Sequence, residues 1–85
     1  MQEPAYFEQG IEQLHKSKYI KEHIGDFSSY TYYSSKLLKE PGNPASFQVE
    51  IPGDSIILFL TCTMSKTENK WQLVGIQQDS IVIKQ

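Results

Sequence analysis

The opening stretch of the chain carries apolar side chains at helical spacing. Phe7, Ile11 and Leu14 follow one another at intervals of four and three residues, so they share one face of a helix. Pro4 suits the first turn of that helix, where its missing N–H leaves no hydrogen bond unmade. Four polar side chains lie off this face, and we expect them to point to water: Glu8, Gln9, Glu12 and Gln13.

A break in the apolar phase at Ser17 divides the helical region. The hydroxyl of Ser17 can accept a hydrogen bond from an N–H one turn later, which predicts a second short helix over residues 18–24. Gly25 follows at the C′ position, where a positive φ is favoured. One continuous helix over residues 5–24 is the alternative interpretation.

The apolar period changes from about 3.6 residues to about two after Gly25, which indicates a change from helix to strand. Residues 28–37 are rich in Tyr, Thr and Ser, a composition that favours a first strand. Residues 39–44 contain Pro-Gly-Asn-Pro and predict a loop. Residues 45–51 alternate apolar and polar side chains, which predicts a second strand with its apolar side toward the core.

Turn residues divide the following segment into a hairpin. Pro52, Gly53 and Asp54 predict a tight turn. Residues 55–64 carry the longest apolar run and are expected to form the most buried strand. Residues 65–69 are polar and predict a second turn.

The end of the chain predicts further strand with two irregularities. Residues 70–77 form a strand whose phase switches near Gly75, which indicates a bulge. Residues 78–80 are read as a break or kink, and residues 81–83 end the chain as strand. The phase places Trp71 and Leu73 on one side of this strand and Val74 and Ile76 on the other.

These elements predict a single α+β domain over residues 1–85. An N-terminal bent helix, or two short helices, packs on an antiparallel meander of about four strands. One face of such a sheet has to be covered, and the helical arm is the only available cover. We therefore expect its apolar face to pack toward Val49 and Leu58.

The charge balance argues against some classes of function. Eight basic and ten acidic residues give a net charge of −2, so the chain lacks the basic surface of a nucleic-acid binder. No apolar run reaches the roughly 18 residues that a membrane span requires, and no signal peptide opens the chain. We expect membrane attachment only through an anchor that these 85 residues do not contain.

Residues that could carry chemistry are few and scattered. Cys62 is the only cysteine, so no intramolecular disulfide can form, and its place between Leu60 and Met64 predicts a buried apolar role. His15 and His23 are eight residues apart, whereas metal ligands on one helix lie at i and i+3 or i+4. The sequence suggests no carboxylate pair and no glycine-rich phosphate loop. We therefore predict no enzyme activity, no catalytic residue, no cofactor and no metal.

Aromatic side chains are the candidates for a partner surface. Tyr30, Tyr32 and Tyr33 cluster in the predicted first strand, where alternation turns at least one ring away from the core. Beside Phe59, exposed rings would form an apolar patch of the kind that binds a protein partner. Cross-strand packing inside the fold is the alternative. The first functional hypothesis is a non-enzymatic interaction domain, whose protein partner covers this patch or adds to an exposed sheet edge.

The second functional hypothesis is a small-ligand-binding protein. In it the sheet curves around the helix and encloses a pocket lined by Tyr30 or Tyr32, with Phe47 and Trp71. A core packed solid with side chains would count against it.

Several of these positions together resemble one protein family. The pattern in the helical half is Ile11-x-x-Leu14-x-x-Ser17-x-x-Ile20-x-x-x-Ile24-Gly25-x-Phe27. It is followed by the Pro52-Gly53-Asp54 turn, a long apolar strand, a polar turn, Lys70-Trp71-Gln72-Leu73 and a terminal aliphatic strand. This order resembles the cytochrome c oxidase assembly factor 1 family over nearly the whole chain. Within that family, the chain is most similar in kind to the bacterial relatives, whose role is unknown.

The resemblance implies an α+β domain that acts without catalysis by binding partner proteins. It also implies a domain tethered to a membrane and facing an extracytoplasmic or intermembrane space. This chain departs from the family in carrying no N-terminal anchor and less glycine around the central hairpin. The matching positions are structural, so the resemblance assigns no functional residue.

Overall fold

A helical region followed by an antiparallel sheet makes up the protein in the computed structural model, which describes residues 3–84. Its elements are α1 (Ala5–His15), α2 (Lys18–His23), a 3-10 turn (Ser34–Lys36), β1 (Ala45–Pro52), β2 (Ile56–Thr67) and β3 (Lys70–Ile83). The predicted α+β class is confirmed. The sheet holds three strands among the described residues, in the order β1-β2-β3, rather than about four. The anchor that membrane attachment would require lies outside the described residues.

The helical region is divided at Ser17, as predicted, and is not one continuous helix. The Ser17 backbone is extended, and its carbonyl accepts a hydrogen bond from Lys21 N–H at 3.1 Å. The predicted hydroxyl cap is wrong, because the Ser17 side chain makes no capping hydrogen bond. Gly25 has a φ of +89° and donates its N–H to the Ile20 carbonyl at 3.1 Å, so its role in ending α2 is confirmed.

Both predicted hairpin turns form, the first shifted by one residue to residues 53–55 and the second shorter than predicted. The first joins β1 to β2 through Gly53, whose N–H donates to the Ile56 carbonyl at 2.7 Å. The second is shorter than the predicted residues 65–69, because β2 continues through Thr67. Only Glu68 and Asn69 form the turn, with φ values of 53° and 65°. Positive φ at both central residues matches the right-handed twist of the paired strands, so the ladder can continue up to the turn.

Two bulges interrupt the pairing of β3 with β2. The first leaves Val74 without a partner in the register, which confirms the bulge predicted near Gly75. The second leaves Asp79 without a partner, between register partners Gln78 and Ser80. The break predicted at residues 78–80 is therefore a bulge within one continuous strand.

The first bulge changes which side chains of β3 face the core. Ile76 was expected opposite to Trp71 and Leu73, but the extra residue at Val74 returns it to their side of the sheet. Ile76 pairs with Cys62, which is fully buried, and its side chain packs against the core. Val74 itself is 60% exposed.

Both helices bury their apolar residues against one face of the sheet. Phe7, Ile11 and Leu14 are 2%, 7% and 0% exposed, which confirms the predicted apolar face of α1. The backbone of α1 comes close to the sheet at Gly10, where an added Cβ would lie 2.5 Å from Phe47 Cε2. The sheet residues buried in this core are Ala45, Phe47, Val49, Ile51, Leu58, Leu60, Cys62, Met64 and Trp71.

The strand predicted over residues 28–37 does not form. A single bridge joins Thr31 to Glu50 of β1, with backbone hydrogen bonds of 2.9 and 2.8 Å, and the 3-10 turn over Ser34–Lys36 ends the extended stretch. Tyr30 and Tyr32 turn toward α1 and are half-buried. A Tyr- and Thr-rich composition favours strand only where neighbours extend the ladder, and here side-chain packing takes its place.

Two glutamines of α1 bind the edge of the sheet. Gln9 Oε1 accepts a hydrogen bond from Trp71 N–H at 2.9 Å. Gln13 Nε2 donates to the Trp71 carbonyl at 2.8 Å, and its Oε1 accepts from Leu73 N–H at 2.8 Å. The prediction that Gln9 and Gln13 point to water is wrong. Their amides satisfy backbone groups that β3 would otherwise leave open at its edge.

Candidate functional site

The sheet has one covered face and one face that carries neither helix. We call the second the outer face, since α1 and α2 both pack into the core on the opposite side. The strand register assigns its side chains: Ser46, Gln48 and Glu50 of β1, Ile57, Phe59, Thr61 and Thr63 of β2, and Gln77, Ser80 and Val82 of β3. Antiparallel sheets commonly keep one face in solvent, where polar residues prevail. Phe59 at the centre of the middle strand departs from that pattern.

The four residues predicted to form a partner surface lie on two different sides of the molecule. Tyr30 and Tyr32 pack against Phe7, with ring centroids 6.2 and 4.4 Å away. Desolvation raises the pKa of the Tyr32 hydroxyl above its usual value, and the Glu3 carboxylate adds to the rise. Tyr33 is 59% exposed.

A groove of about 240 Å³ on the outer face brings Tyr33 and Phe59 together. We call it the outer groove. Phe59 is half-buried on the middle strand, while Tyr33 reaches the groove from the segment beyond the Thr31 bridge. Its other polar and charged lining residues are Thr31, Gln48, Glu50, Asp79 and Ser80. Strands and a bridged loop therefore combine four separate stretches of sequence in one surface.

The second bulge of β3 places a carboxylate in the outer groove. Asp79 Oδ2 accepts a hydrogen bond from the Thr61 hydroxyl at 2.6 Å, and its Oδ1 accepts from Gln77 Nε2 at 3.2 Å. Both donors hold the carboxylate in one orientation. Sequence reasoning assigned Asp79 to a break, and a bulge residue in a continuous strand leaves only a weak local signal.

A second groove of about 210 Å³ adjoins the outer groove. Tyr33 and Gln48 line both. Lys36 lines only the second, and its ammonium lies 5.2 Å from the centroid of the Tyr33 ring. The outer face thus has carboxylates on one side of Tyr33 and an ammonium on the other.

Packed rings occupy the place of the predicted small-ligand pocket. Tyr6 approaches Trp71 and Phe47 with centroid distances of 5.7 and 6.4 Å. Phe7 lies 5.0 Å from Phe47 and 4.4 Å from Tyr32. Tilted and edge-on rings at these distances are in contact, so helix side chains fill the space between the proposed lining residues. This packing does not favour the ligand-binding hypothesis.

The residues considered for chemistry lie apart from the outer groove. Cys62 is fully buried, and desolvation raises the pKa of its thiol to about 12, so it is protonated at neutral pH. His15 stacks on Phe27 with centroids 4.0 Å apart, while His23 stacks on Tyr19 at 4.2 Å. Across residues 3–84, no three His, Cys, Asp or Glu side chains converge as a metal site would require.

Two further findings bear on the setting of this domain. None of the helices in the described part of the chain is both long enough and apolar enough to cross a bilayer. Comparison with protein-family models, with curated proteins and with solved structures finds no match to this chain.

Proposed function

We propose that this chain is a non-catalytic protein-interaction domain whose partner binds the outer face of the sheet at the outer groove. The observation that carries the proposal is an exposed tyrosine, Tyr33, beside a half-buried phenylalanine, Phe59, on a sheet face that neither helix covers. Aromatic side chains are enriched at protein interfaces, because each buries a large area at a small cost in conformational entropy.

The groove is also held in place before a partner arrives. The Thr31–Glu50 bridge ties the segment that carries Tyr33 to β1. Asp79 is fixed by its hydrogen bonds to Thr61 and Gln77. A surface that is already ordered loses less entropy on binding, so more of the contact energy appears as affinity.

An assembly-factor-like role fits this interaction surface. The resemblance of the Ile11–Phe27 pattern to the cytochrome c oxidase assembly factor 1 family supports such a role, because the mitochondrial members of that family act by binding partner proteins. In this proposal an anchor outside the present chain displays the domain from a membrane in an extracytoplasmic space. The helices cover one face of the sheet, which leaves the outer face for the partner.

Peptide selection followed by NMR mapping tests the proposal. Peptides selected for binding from a random display library are titrated into the isotope-labelled domain, and shifts are expected at Phe59, Glu50 and Ser80. Tyr33→Ala should weaken binding at least about thirtyfold, because truncating an aromatic hot-spot residue costs about 2 kcal/mol or more. Leu38→Ala is the matched control, since Leu38 is also 59% exposed but lies outside the outer groove.

The control should change affinity by less than about twofold, since scattered exposed apolar residues contribute little. Circular dichroism melts of both variants establish that each is folded. Selected peptides that shift only resonances outside the outer groove, or that bind Tyr33→Ala as well as the unmodified chain, would contradict the proposal.

A further inference from the structure

The charged residues that line the outer groove are of one sign, while the ammonium of Lys36 lies in the adjoining groove. Glu50 and Asp79 line the outer groove, and none of the described Lys or His side chains does. Glu50 and Ser80 are the register partners of Phe59 on the two flanking strands, and Asp79 precedes Ser80. The two carboxylates therefore come from the two strands that flank Phe59, and that of Asp79 is bound to Thr61 on the strand of Phe59 itself. Strands about 4.8 Å apart place the backbones of β1 and β3 roughly 10 Å from each other, which leaves room for a planar cation between the acids.

Both aromatic residues of the outer groove can face a cation. Phe59 lies on the strand between those that carry the carboxylates, and the ring of Tyr33 stands at the side of the groove. Tyr33 already has the Lys36 ammonium 5.2 Å from its centroid, in the adjoining groove. Aromatic faces attract cations through the ring quadrupole, and more strongly when water is excluded.

The cost of desolvation decides between occupants of this groove. An apolar partner side chain would strip water from Glu50 and Asp79 without supplying a positive charge, and burying carboxylates without a compensating cation is costly. An acidic side chain would be repelled by both. A guanidinium can donate to carboxylates on two sides while its plane lies on an aromatic ring. Lysine, a point charge on a narrow stem, fits the same charges with fewer hydrogen bonds.

We propose that the outer groove binds an arginine side chain of the partner, seated over Phe59 between Glu50 and Asp79. This inference rests on the proposed interaction function, and it names the chemistry by which the same surface selects its partner. The groove volume of about 240 Å³ leaves room for one long side chain.

Short synthetic peptides test the inference. The probes are acetylated, amidated five-residue peptides of Val and Thr with a central arginine, citrulline or glutamate, titrated into the labelled domain and followed by NMR. The arginine peptide should bind at least tenfold more tightly than the citrulline peptide, which keeps the shape but lacks the charge. Its affinity should fall as salt rises from 50 to 500 mM, because ion pairs at a partly exposed site are screened.

Charge-neutralising variants identify the carboxylates. Glu50→Gln and Asp79→Asn should each lower the affinity for the arginine peptide at least threefold and leave the affinity for the citrulline peptide unchanged. The amide oxygen of the asparagine introduced at position 79 can still accept the hydrogen bond from Thr61, so Asp79→Asn keeps the local structure. Glu68→Gln is the control, because it removes the same charge on the β2–β3 turn, about 26 Å along β2 from Phe59.

Equal binding of the arginine and citrulline peptides, no binding of the arginine peptide, or equal losses in all three variants would overturn the inference. These results are distinguishable from failure of the proposed function. Library peptides that bind the outer groove in a Tyr33-dependent manner, without preference for a basic residue, uphold the interaction surface and refute only the arginine site.

Discussion

Two glycines of the helical region are required for different physical reasons. Gly25 has a φ of +89°, and nothing lies within 4 Å of the place a Cβ would take, so only backbone conformation requires glycine there. Gly10 lies within α1, where a Cβ would come 2.5 Å from Phe47 Cε2 and 3.2 Å from Met64 Sδ. Space requires glycine at that position. Glycine is unfavourable inside a helix, and α1 carries it at position 10 because the sheet lies close to the helix backbone there.

Replacement of Gly10 by alanine should destabilise the fold. Helix propensity alone favours alanine by about 1 kcal/mol, but overpacking of a filled core costs about 1–3 kcal/mol. We expect a net loss of about 1 kcal/mol in the free energy of unfolding, measured by urea denaturation. Phe47→Leu removes the ring atoms that the new methyl group would meet, so Gly10→Ala should be neutral or stabilising in that background. A stabilising effect of Gly10→Ala in the unmodified chain would show that space is not limiting.

At the scale of elements, α1 protects part of an edge strand. The first half of β3 has backbone groups occupied by Gln9 and Gln13, which lie one helical turn apart. Side-chain amides carry both a donor and an acceptor, so two glutamines at this spacing can bind successive backbone groups of a strand. The end of the strand is less covered, with Ile81 and Val82 42% and 45% exposed. The helix thereby limits where another strand could add to this edge.

Loss of the Gln13 amide should weaken the attachment of α1 to β3. Gln13→Ala removes two hydrogen bonds, each worth about 0.5–1.5 kcal/mol, so we expect the free energy of unfolding to fall by about 1–3 kcal/mol. Amide hydrogen exchange at Leu73 should accelerate, because its N–H loses its acceptor. Exchange at Trp71, whose N–H is bound by Gln9, should change much less.

A neighbouring position on α1 provides the control for this prediction. Glu12 forms an exposed ion pair with Lys16 at 3.9 Å, so Glu12→Ala should cost no more than about 0.5 kcal/mol. Equal losses for Glu12→Ala and Gln13→Ala, or unchanged exchange at Leu73, would show that the glutamine contacts do not hold the helix on the strand.

At the scale of the whole molecule, one core joins the helices to the sheet. Cys62 lies inside it on the middle strand, fully buried, with Phe47 and Ile76 as its register partners. Burial also raises the pKa of its thiol to about 12, which keeps the reactive thiolate scarce in the native state. We expect a thiol in this position to become accessible when the helices leave the sheet.

The rate of Cys62 modification should therefore report global unfolding. With a disulfide reagent under conditions of fast reclosing, we expect the free energy from labelling to agree with that from urea denaturation within about 1 kcal/mol. Gly10→Ala should accelerate labelling by the factor that its loss of stability predicts, about five- to tenfold for 1 kcal/mol or slightly more. Cys62→Ala should abolish labelling. A free energy from labelling that is well below the free energy from urea denaturation would reveal a local opening of the core.

Local signals account for the features that the sequence predicted. The division of the helix at Ser17, the role of Gly25 and the bulge near Gly75 each follow from residues next to one another in the chain. The strand predicted over residues 28–37 failed because a ladder needs a partner, and only Thr31 finds one. Gln9 and Gln13 were misplaced for the same reason, since helical spacing shows which side chains leave the apolar face but not what they meet.

The sequence by itself determined the α+β class, the position where helix changes to strand and the apolar face of α1, because these depend on spacing between near neighbours. Only the tertiary structure decided that Tyr33 joins Phe59 in one groove, with Glu50 and Asp79 on either side. Those residues come from four stretches of chain. Their meeting depends on the strand register, a single bridge and two bulges, and an error of one residue in any of these turns a side chain to the other face of the sheet.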